Sequence, residues 1–470
     1  MVANHDLLLR WPADYPSFTH AIVDEAHELG GVADEVYAQD VRPEAVIERI
    51  DELFGTSAAG RRGPPPRLPV DVNQARAWRS EVQQELTALG TLLGDRAGEF
   101  GGYELPPHAD RILPDAARLC ATLAQRLEAI AAEAASLDEK RGEAEDETSD
   151  LVARAVGDLR DAAALLRAAF DDELDEMVAS FEDLAPPYDR WRLALRPVTP
   201  APVFHEAFLQ KLESFSCVSA SLFVAGDPFA SLGTLEVDSR AELETWRFTV
   251  ASPFAYREHM RVLALAQEGD PVETTSDAIE AVARALEGRT LGLFTSLRRM
   301  REVRDRLFDP LRDAGLDVLV PRRATDDPAA LVERFQRSEG RGVLLGARTF
   351  WQGLDIPGDA LQAVVIEKLP FEVPTELRRR REARLRDQGD DAFERYTLGV
   401  MLLNLKQMIG RLIRSELDRG VVVIADPRAG RRYAGRLDAA LPAHCSVRPV
   451  TLAELPEALA EVGVGLRENG

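Results

Sequence analysis

Cysteine is nearly missing from this 470-residue chain: Cys120, Cys217 and Cys445 stand far apart and show no CxxC spacing. A disulfide framework and a clustered metal site are therefore not expected, and three reduced, mostly buried thiols are. Lysine is almost as rare. Only Lys140, Lys211, Lys368 and Lys406 occur, and none follows a glycine. These residues therefore contain no Gly-x-x-x-x-Gly-Lys-Ser/Thr loop, the device in which backbone N–H groups cradle phosphates and the lysine reaches them. Also missing are a run of about 18 uninterrupted apolar residues and a basic-then-apolar N-terminus. Nothing in the sequence points to a membrane, and the cytoplasm is the expected location.

What the chain has is 45% hydrophobic content, enough for about three units of roughly 150 residues each. Its net charge of −23 argues against a polyanionic partner, because binding one means neutralising phosphates. The charge is uneven, however. Glu128 to Asp183 holds eighteen acidic and five basic residues, −13 of the −23. Arginines cluster at Arg298, Arg299, Arg301, Arg304 and Arg306, and again from Arg378 to Arg381. A solvated helix face explains such clusters as well as a phosphate-binding one does.

Patterning divides the chain into four. Residues 1–35 hold a short apolar run, Ala21-Ile22-Val23, that ends in acidic residues and predicts a buried strand. Residues 36–195 repeat apolar positions at helical spacing, as in Leu119-Leu123-Leu127-Ile130, and predict a helical insertion closed by Pro186-Pro187 and the prolines from Pro197. Between 196 and 275, Ser216 to Leu222 and Trp246 to Ala251 read as strands. From 276 to 470 strands and helices alternate, with strands at Thr290–Thr295, Leu316–Val320, Val343–Gly346, Ala363–Ile366 and Val421–Ala425. That rhythm predicts an α/β fold with a doubly wound parallel sheet.

Four constellations carry chemistry. Asp24-Glu25-Ala26-His27 follows the apolar strand, where ligands of open α/β sheets bind. An aspartate there can hold a magnesium-bound water beside nucleotide phosphates, and the glutamate can orient or deprotonate the attacking water. Gln407, Arg411 and Arg414, at offsets of four and three, share one face of a long helix expected from Glu394 to Arg414, and Gly410 allows close backbone approach. Two arginines on such a face can stabilise a transferring γ-phosphate. In Thr349 to Gly358, Gly353 suits a tight turn near a ligand, and Asp355 can accept from a ribose hydroxyl or hold an arginine; Phe350 and Trp351 read as core. Thr295-Ser296 ends a strand and starts a helix, a place for N-caps and also for gripping a phosphate.

In this order the segments resemble the DinG/XPD-type helicases of superfamily 2. Asn4-His5 is similar to a segment upstream of that family's DEAH box, and Asp24 to His27 to the box itself. Ser219-Ala220-Ser221-Leu222 is similar to its Ser-Ala-Thr-Leu motif, Ser252-Pro-Phe254 to the following Ser-Pro-Phe, and Leu293 to Ser296 to the opening of its second motor domain. Arg348 to Gly358 resembles the fifth motif, and Gln407 to Arg414 with Asp418-Arg-Gly420 the sixth. The resemblance implies two RecA-like (P-loop NTPase type) motor domains, the first incomplete, with the helical insertion standing as an arch beside the DNA path.

It further implies ATP-driven 5′-to-3′ unwinding, with ATP, Mg²⁺ and single-stranded or forked DNA as partners. Asp24 and Glu25 would then serve the metal, with Glu25 activating water, and His27 and Gln407 would sense nucleotide. Arg411, Arg414, Gly353 and Asp355 would complete the nucleotide site, and Ser219, Ala220 and Ser221 would couple it to DNA. Thr295, Ser296, Arg348 and Thr349 would lie near the DNA backbone. The acidic tetrad and the glutamine–arginine face are expected to meet across a cleft around one triphosphate.

The chain departs from the family at Gln352, often glutamate, at Ser221, in place of a threonine, and at Ala255, in place of an aspartate. The largest departure is the missing Walker A loop. The chain therefore reads as an N-terminally truncated member, inactive as an ATPase by itself, whose loop lies upstream or on a separate polypeptide. The four clustered cysteines that hold an iron–sulfur cluster in some members are also missing, so no such cluster is expected. Two other readings stay open: a catalytically inactive pseudo-helicase acting as a nucleic-acid- or partner-binding module, and a generic α/β nucleotide-binding enzyme.

Overall fold

The computed structural model describes the chain outside residues 57–66, 98–100, 142–146, 172–174, 186–189, 239–243, 322–326, 348–349, 351–355, 357–359, 411, 443–444 and 462–470. The chain divides into two units. The first is Met1–Val23, Glu28–Ser216 and Pro374–Asp390; the second is Asp24–His27, Cys217–Val373 and Asp391–Gly470. No helix among the described residues is long and apolar enough to cross a membrane.

The first unit contains β1 (His20–Val23), β2 (Gln39–Val41), β3 (Gly102–Glu104), β4 (Met177–Ala185) and β5 (Arg190–Pro197), and β6 (Ser214–Cys217) closes it. β1 and β6 form a two-stranded sheet, and β2-β5-β4-β3 an antiparallel one. Four helices, Pro43–Phe54, Val72–Gly94, Pro114–Arg141 and Glu147–Ala168, share a core with that sheet. Trp191 is fully buried there, and its indole N–H donates to the Leu86 carbonyl at 3.2 Å. The helical spacing of the insertion is thus real. What spacing did not reveal is the sheet, because β4 and β5 are only nine and eight residues long and do not alternate regularly: Val178 to Phe181 are buried in succession, as are Leu193 to Leu195.

The second unit is built on β7 (Met260–Leu265), β8 (Thr290–Leu293), β9 (Asp317–Leu319), β10 (Gly342–Gly346), β11 (Ala363–Ile366), β12 (Gly420–Ile424) and β13 (Val447–Val450). They form one sheet in the order β13-β7-β12-β11-β8-β10-β9, and every neighbouring pair is parallel. Alternate residues enter opposite cores. Leu291, Leu344, Val364 and Val422 face one, with helix Gly399–Ile409; Val343, Leu345, Val365 and Val423 face the other, with helices Pro271–Ala285 and Leu297–Asp313. Burial on both faces is why these strands read as continuous apolar runs.

Several sequence expectations need correcting. β1 buries Ala21 and Val23 but leaves Ile22 79% exposed, so the acidic tetrad follows a strand covered on one face only. The strand expected at Ser216–Leu222 lies at Ser214–Cys217 instead. Trp246 to Ala251 is not a strand: Trp246, Phe248 and Val250 alternate as one would, but all three are exposed. The sheet takes Met260–Leu265 in its place.

The second arginine cluster is largely tied to protein groups, with Arg378 buried and Arg379 open to solvent. It lies on helix Glu376–Asp387, within the first unit, capped by Thr375. Arg380 donates to the carbonyls of Asp175 and Met177 at 3.2 and 2.9 Å, and Arg381 to that of Val198 at 2.7 Å. Arg381 also pairs with Asp34 at 2.6 Å, and the Leu377 amide donates to Glu104 at 3.0 Å. Burial pushes the Asp34 carboxyl above its ordinary range, outweighing the lowering by Arg381. Good geometry and an upward shift together mark a buried pair that positions the helix more than it stabilises it.

Removing one partner of such a pair is costly. Arg381→Met alone is expected to destabilise the first unit by about 3 kcal/mol, and adding Asp34→Leu to recover most of that. Urea unfolding of the four proteins in a double-mutant cycle measures it, and strictly additive losses would show that the pair does not act as a pair.

Candidate functional site

β1 delivers Asp24 to its carboxyl end, and the chain then turns sharply. Glu25 takes φ +48°, a left-handed conformation uncommon for a residue with a side chain, and Ala26–Glu28 is a single 3₁₀ turn. Glu25 donates its amide to Asp24 Oδ1 at 2.9 Å, and Ala26 donates its own to the Val218 carbonyl, just past β6, at 3.0 Å. The tetrad is thereby laid beside the Ser219-Ala220-Ser221 segment.

Ser219 is the hub of this contact. Its hydroxyl donates to Glu25 Oε2 at 3.2 Å, lies 2.7 Å from His27 Nδ1, and accepts the Ser221 amide at 3.1 Å. A serine hydroxyl has one proton to give and two lone pairs to receive. With its proton on Glu25, the His27 contact requires Nδ1 to carry hydrogen, and the 3.2 Å approach of His27 Nδ1 to Glu25 Oε2 asks for the same tautomer. The His27 side chain is 8% exposed and that of Glu25 60%, so the imidazole is a buried brace and the carboxylate stays open to solvent. Asp24 and Ala220 are exposed, and Ser221 is buried.

The glutamine–arginine element differs from expectation. Phe393–Leu398 is a π-helical turn, the α-helix is Gly399–Ile409, and Gly410 ends it. Gln407 is buried on that helix. Arg414 is not on it: it lies exposed in the following loop, where the Asp418 carboxylate accepts the Arg414 and Ser415 amides at 2.7 and 2.8 Å. That downstream carboxylate offers the backbone a better partner than a further helical turn would. Arg411, Arg348, Thr349, Gly353 and Asp355 lie outside the described residues.

In the parallel sheet, strand order reverses between β8 and β11, the kind of switch point at whose carboxyl edge α/β ligands bind. Ser296 caps helix Leu297–Asp313 by accepting the Arg299 amide at 3.4 Å. Thr295 gives its hydroxyl proton to the buried Glu367 at 3.2 Å, and Arg299 forms an ion pair with the same carboxylate. Beside it, Asp426 accepts the Leu369 amide at 3.1 Å, the Arg428 amide at 3.0 Å and further bonds from the Arg428 guanidinium. Burial pushes the Asp426 carboxyl up, but the hydrogen bonds from Arg428 and Leu369 outweigh it and hold the group below its ordinary range.

Sequence reasoning singled out neither Glu367 nor Asp426 as a site residue. The available signal was an acid placed directly after an all-apolar strand, as in Ile366-Glu367 and Ala425-Asp426. Lys406, one of four lysines, was named only as failing to follow a glycine; its ammonium donates to the Phe223 carbonyl at 3.3 Å. Among the described residues no group of three or more His, Cys, Asp or Glu side chains is arranged to hold a metal.

With this geometry in hand, the profile of the helicase C-terminal domain family matches residues 279–444. The chain is similar to a 3′-5′ exonuclease DinG of Bacillus subtilis, 26% identical over 93% of this chain and 50% of that protein. It is also similar to the ATP-dependent DNA helicase YoaA of Escherichia coli, 31% identical over 53% of this chain and 37% of that one. A solved structure titled XPD_APO shares the fold at a TM-score of 0.51 and 12% identity, over 95% of this chain and 81% of that one. The chain is thus similar to the helicase C-terminal domain family over residues 279–444 and to helicases of the DinG and YoaA kind over the shares given. It spans half or less of the length of these two curated relatives.

The lowered Asp426 pKa has a consequence. A carboxyl held below its unfolded value of 3.8 contributes stability that is complete above that value and fades as pH falls through the folded one. Asp426→Asn should cost about 1–3 kcal/mol at pH 7, and wild type and variant should converge as pH falls below 3.8 and through the folded value. Denaturant melts of the second unit across this range decide it; a gap independent of pH would exclude the charge as the cause.

Proposed function

We propose that this chain is the part of an ATP-dependent DNA helicase, 5′-to-3′ in polarity, that carries the DEAH box and the second motor domain. The observation that supports this best is the closed set of hydrogen bonds joining Glu25, His27 and Ser219. It brings a water-activating carboxylate and the Ser-Ala-Ser coupling segment into direct contact, which a solvated acidic loop has no reason to do.

On this reading Asp24, exposed at the end of β1, is the carboxylate for magnesium, an ion held in phosphate sites by one or two carboxylates plus the phosphates. Glu25 orients the attacking water, and its link to Ser219 passes the state of the nucleotide to the coupling segment. Gln407, Arg411 and Arg414 face the same triphosphate, with Gly353 and Asp355 on the nucleotide side. Ser296, whose hydroxyl oxygen already accepts the Arg299 amide, keeps its proton for a DNA phosphate. Thr295 has committed its proton to Glu367 and can only accept, while Arg348 and Thr349 extend the edge.

The Gly-Lys-Ser/Thr loop, not found in these 470 residues, would come from a further stretch of the same protein or a second polypeptide. A binding module without turnover is the alternative, and that missing loop is what favours it.

Two measurements test the reading. The chain should bind labelled single-stranded DNA with an affinity that falls steeply with salt, and hydrolyse little ATP by itself. Supplying a Gly-Lys-Thr-bearing partner segment should bring up DNA-stimulated turnover, and Glu25→Gln should then lower it by about 100-fold or more. Absence of salt-sensitive DNA binding would remove the motor reading, whereas binding without turnover in the complemented protein would select the module.

A further inference from the structure

We propose that Lys406 is a positioning residue: its ammonium ties the helix carrying Gln407 to the Ser219–Phe223 segment, so that helix and acidic tetrad form one hydrogen-bonded body within the second unit. The inference rests on the motor reading for what the linkage is used for, though not for its existence.

The path can be followed bond by bond. At one end the Val218 carbonyl holds the Ala26 amide, and the Ser219 hydroxyl holds Glu25 and His27. From Ser219 the chain runs without helix or strand to Phe223. It is then pinned at consecutive carbonyls: Leu222 accepts from the Ser231 hydroxyl at 2.7 Å, and Phe223 from Lys406 at 3.3 Å. A tight turn follows, Val224 and Asp227 exchanging both backbone bonds around Ala225 and Gly226, each with positive φ. It returns the chain to the same helix, where a Cβ on Gly399 would sit 3.3 Å from that of Ala230. Just before the helix, Arg395 lies over the Phe229 ring at 4.2 Å and 3.5 Å from Asp227.

Of these clasps only Lys406 comes from the turn of helix that carries Gln407. Leu405 and Met408, on the same stretch, are fully buried. A lysine in such company pays for desolvation, and burial pulls its ammonium below the ordinary value. An apolar residue of similar length would avoid that cost. The lysine's return is a charge-assisted bond to a carbonyl that sits in an irregular segment and has no ladder to join.

Linkage is reciprocal, which gives two independent readouts. Hydrogen exchange on the full chain, without nucleotide or DNA, should show the Ala26 and Ser221 amides exchanging roughly tenfold faster in Lys406→Met, and near the wild-type rate in Lys406→Arg, which keeps a donor. Amides of β8 and β12 should be unchanged in both. From the other end, Ser219→Ala should move the Lys406 titration toward its ordinary value of 10.5, read by NMR on lysine-labelled protein, where only four side chains contribute.

Unchanged exchange at Ala26 and Ser221 in a Lys406→Met protein with intact β8 and β12 overturns the proposal. So does equal loosening by methionine and arginine. Should Lys406→Met lose the sheet as well, the titration decides alone, and a Lys406 signal indifferent to Ser219→Ala is the negative result. None of these outcomes depends on ATP turnover or DNA binding, so failure here leaves the motor reading standing, and failure of the motor reading leaves the linkage measurable.

Discussion

The arrangement turns on one hydroxyl. Ser219 uses its single proton and both lone pairs on partners from two segments, Glu25 and His27 from the acidic tetrad and the Ser221 amide from its own. A typical hydrogen bond contributes only about 1 kcal/mol net, but a buried group left without its partner costs about 1–3. The set is therefore close to all-or-none. Loss of the hydroxyl would leave the mostly buried His27 and the Glu25 carboxylate only their own 3.2 Å contact to join the tetrad, with Glu25 already held at positive φ. Strain of that kind persists only where the surroundings over-determine it, and here they do so through the Asp24 carboxylate, the Val218 carbonyl and the Ser219 hydroxyl together.

Arginine does most of the bracing elsewhere. Arg380 and Arg381 satisfy three backbone carbonyls; Arg192 and Arg196 share Glu35 and Glu182; Arg428 holds Asp426, and Arg299 holds Glu367. A planar guanidinium with five donors can serve a carboxylate and a carbonyl together, which a lysine ammonium does less well. This explains how a chain so rich in arginine carries few lysines, and why its arginine clusters are poor guides to phosphate. Net charge misleads in the same way, since the acidic excess lies in the insertion and not around the sheet edge.

Legibility in the sequence followed the same physics. β8, β10, β11 and β12 could be read because strands buried on both faces leave unbroken apolar runs, and each was placed within two residues. Trp246 to Ala251 was misread because alternation reports a residue's preference for a half-buried pleat, not whether a partner strand exists. β4 and β5 were hidden by helical periodicity on either side. The helix bearing Gln407 was drawn too long because what stops it, the Asp418 carboxylate, is nine residues past its end. The tetrad stood out since three polar residues among the four directly after a strand are conspicuous. Glu367 and Asp426 offer the same signal with one residue each, and Lys406 is visible only as a lone charge in an apolar helix.

The division into units adds a constraint that the order of motifs conceals. Helix Glu376–Asp387 lies between β11 and β12 in sequence, yet its arginines hold Asp34, Asp175, Met177 and Val198, all of the first unit. The chain therefore leaves the second unit after Val373 and re-enters it at Asp391, where Gly389 at φ +87° supplies a turn that other residues rarely make. Cutting the chain between motifs would take from that helix its bonds to Asp34, Asp175, Met177 and Val198 and leave the buried Asp34 without Arg381. The segment between β11 and β12 is therefore built into the first unit by residues that lie 183 to 347 positions upstream of it in sequence.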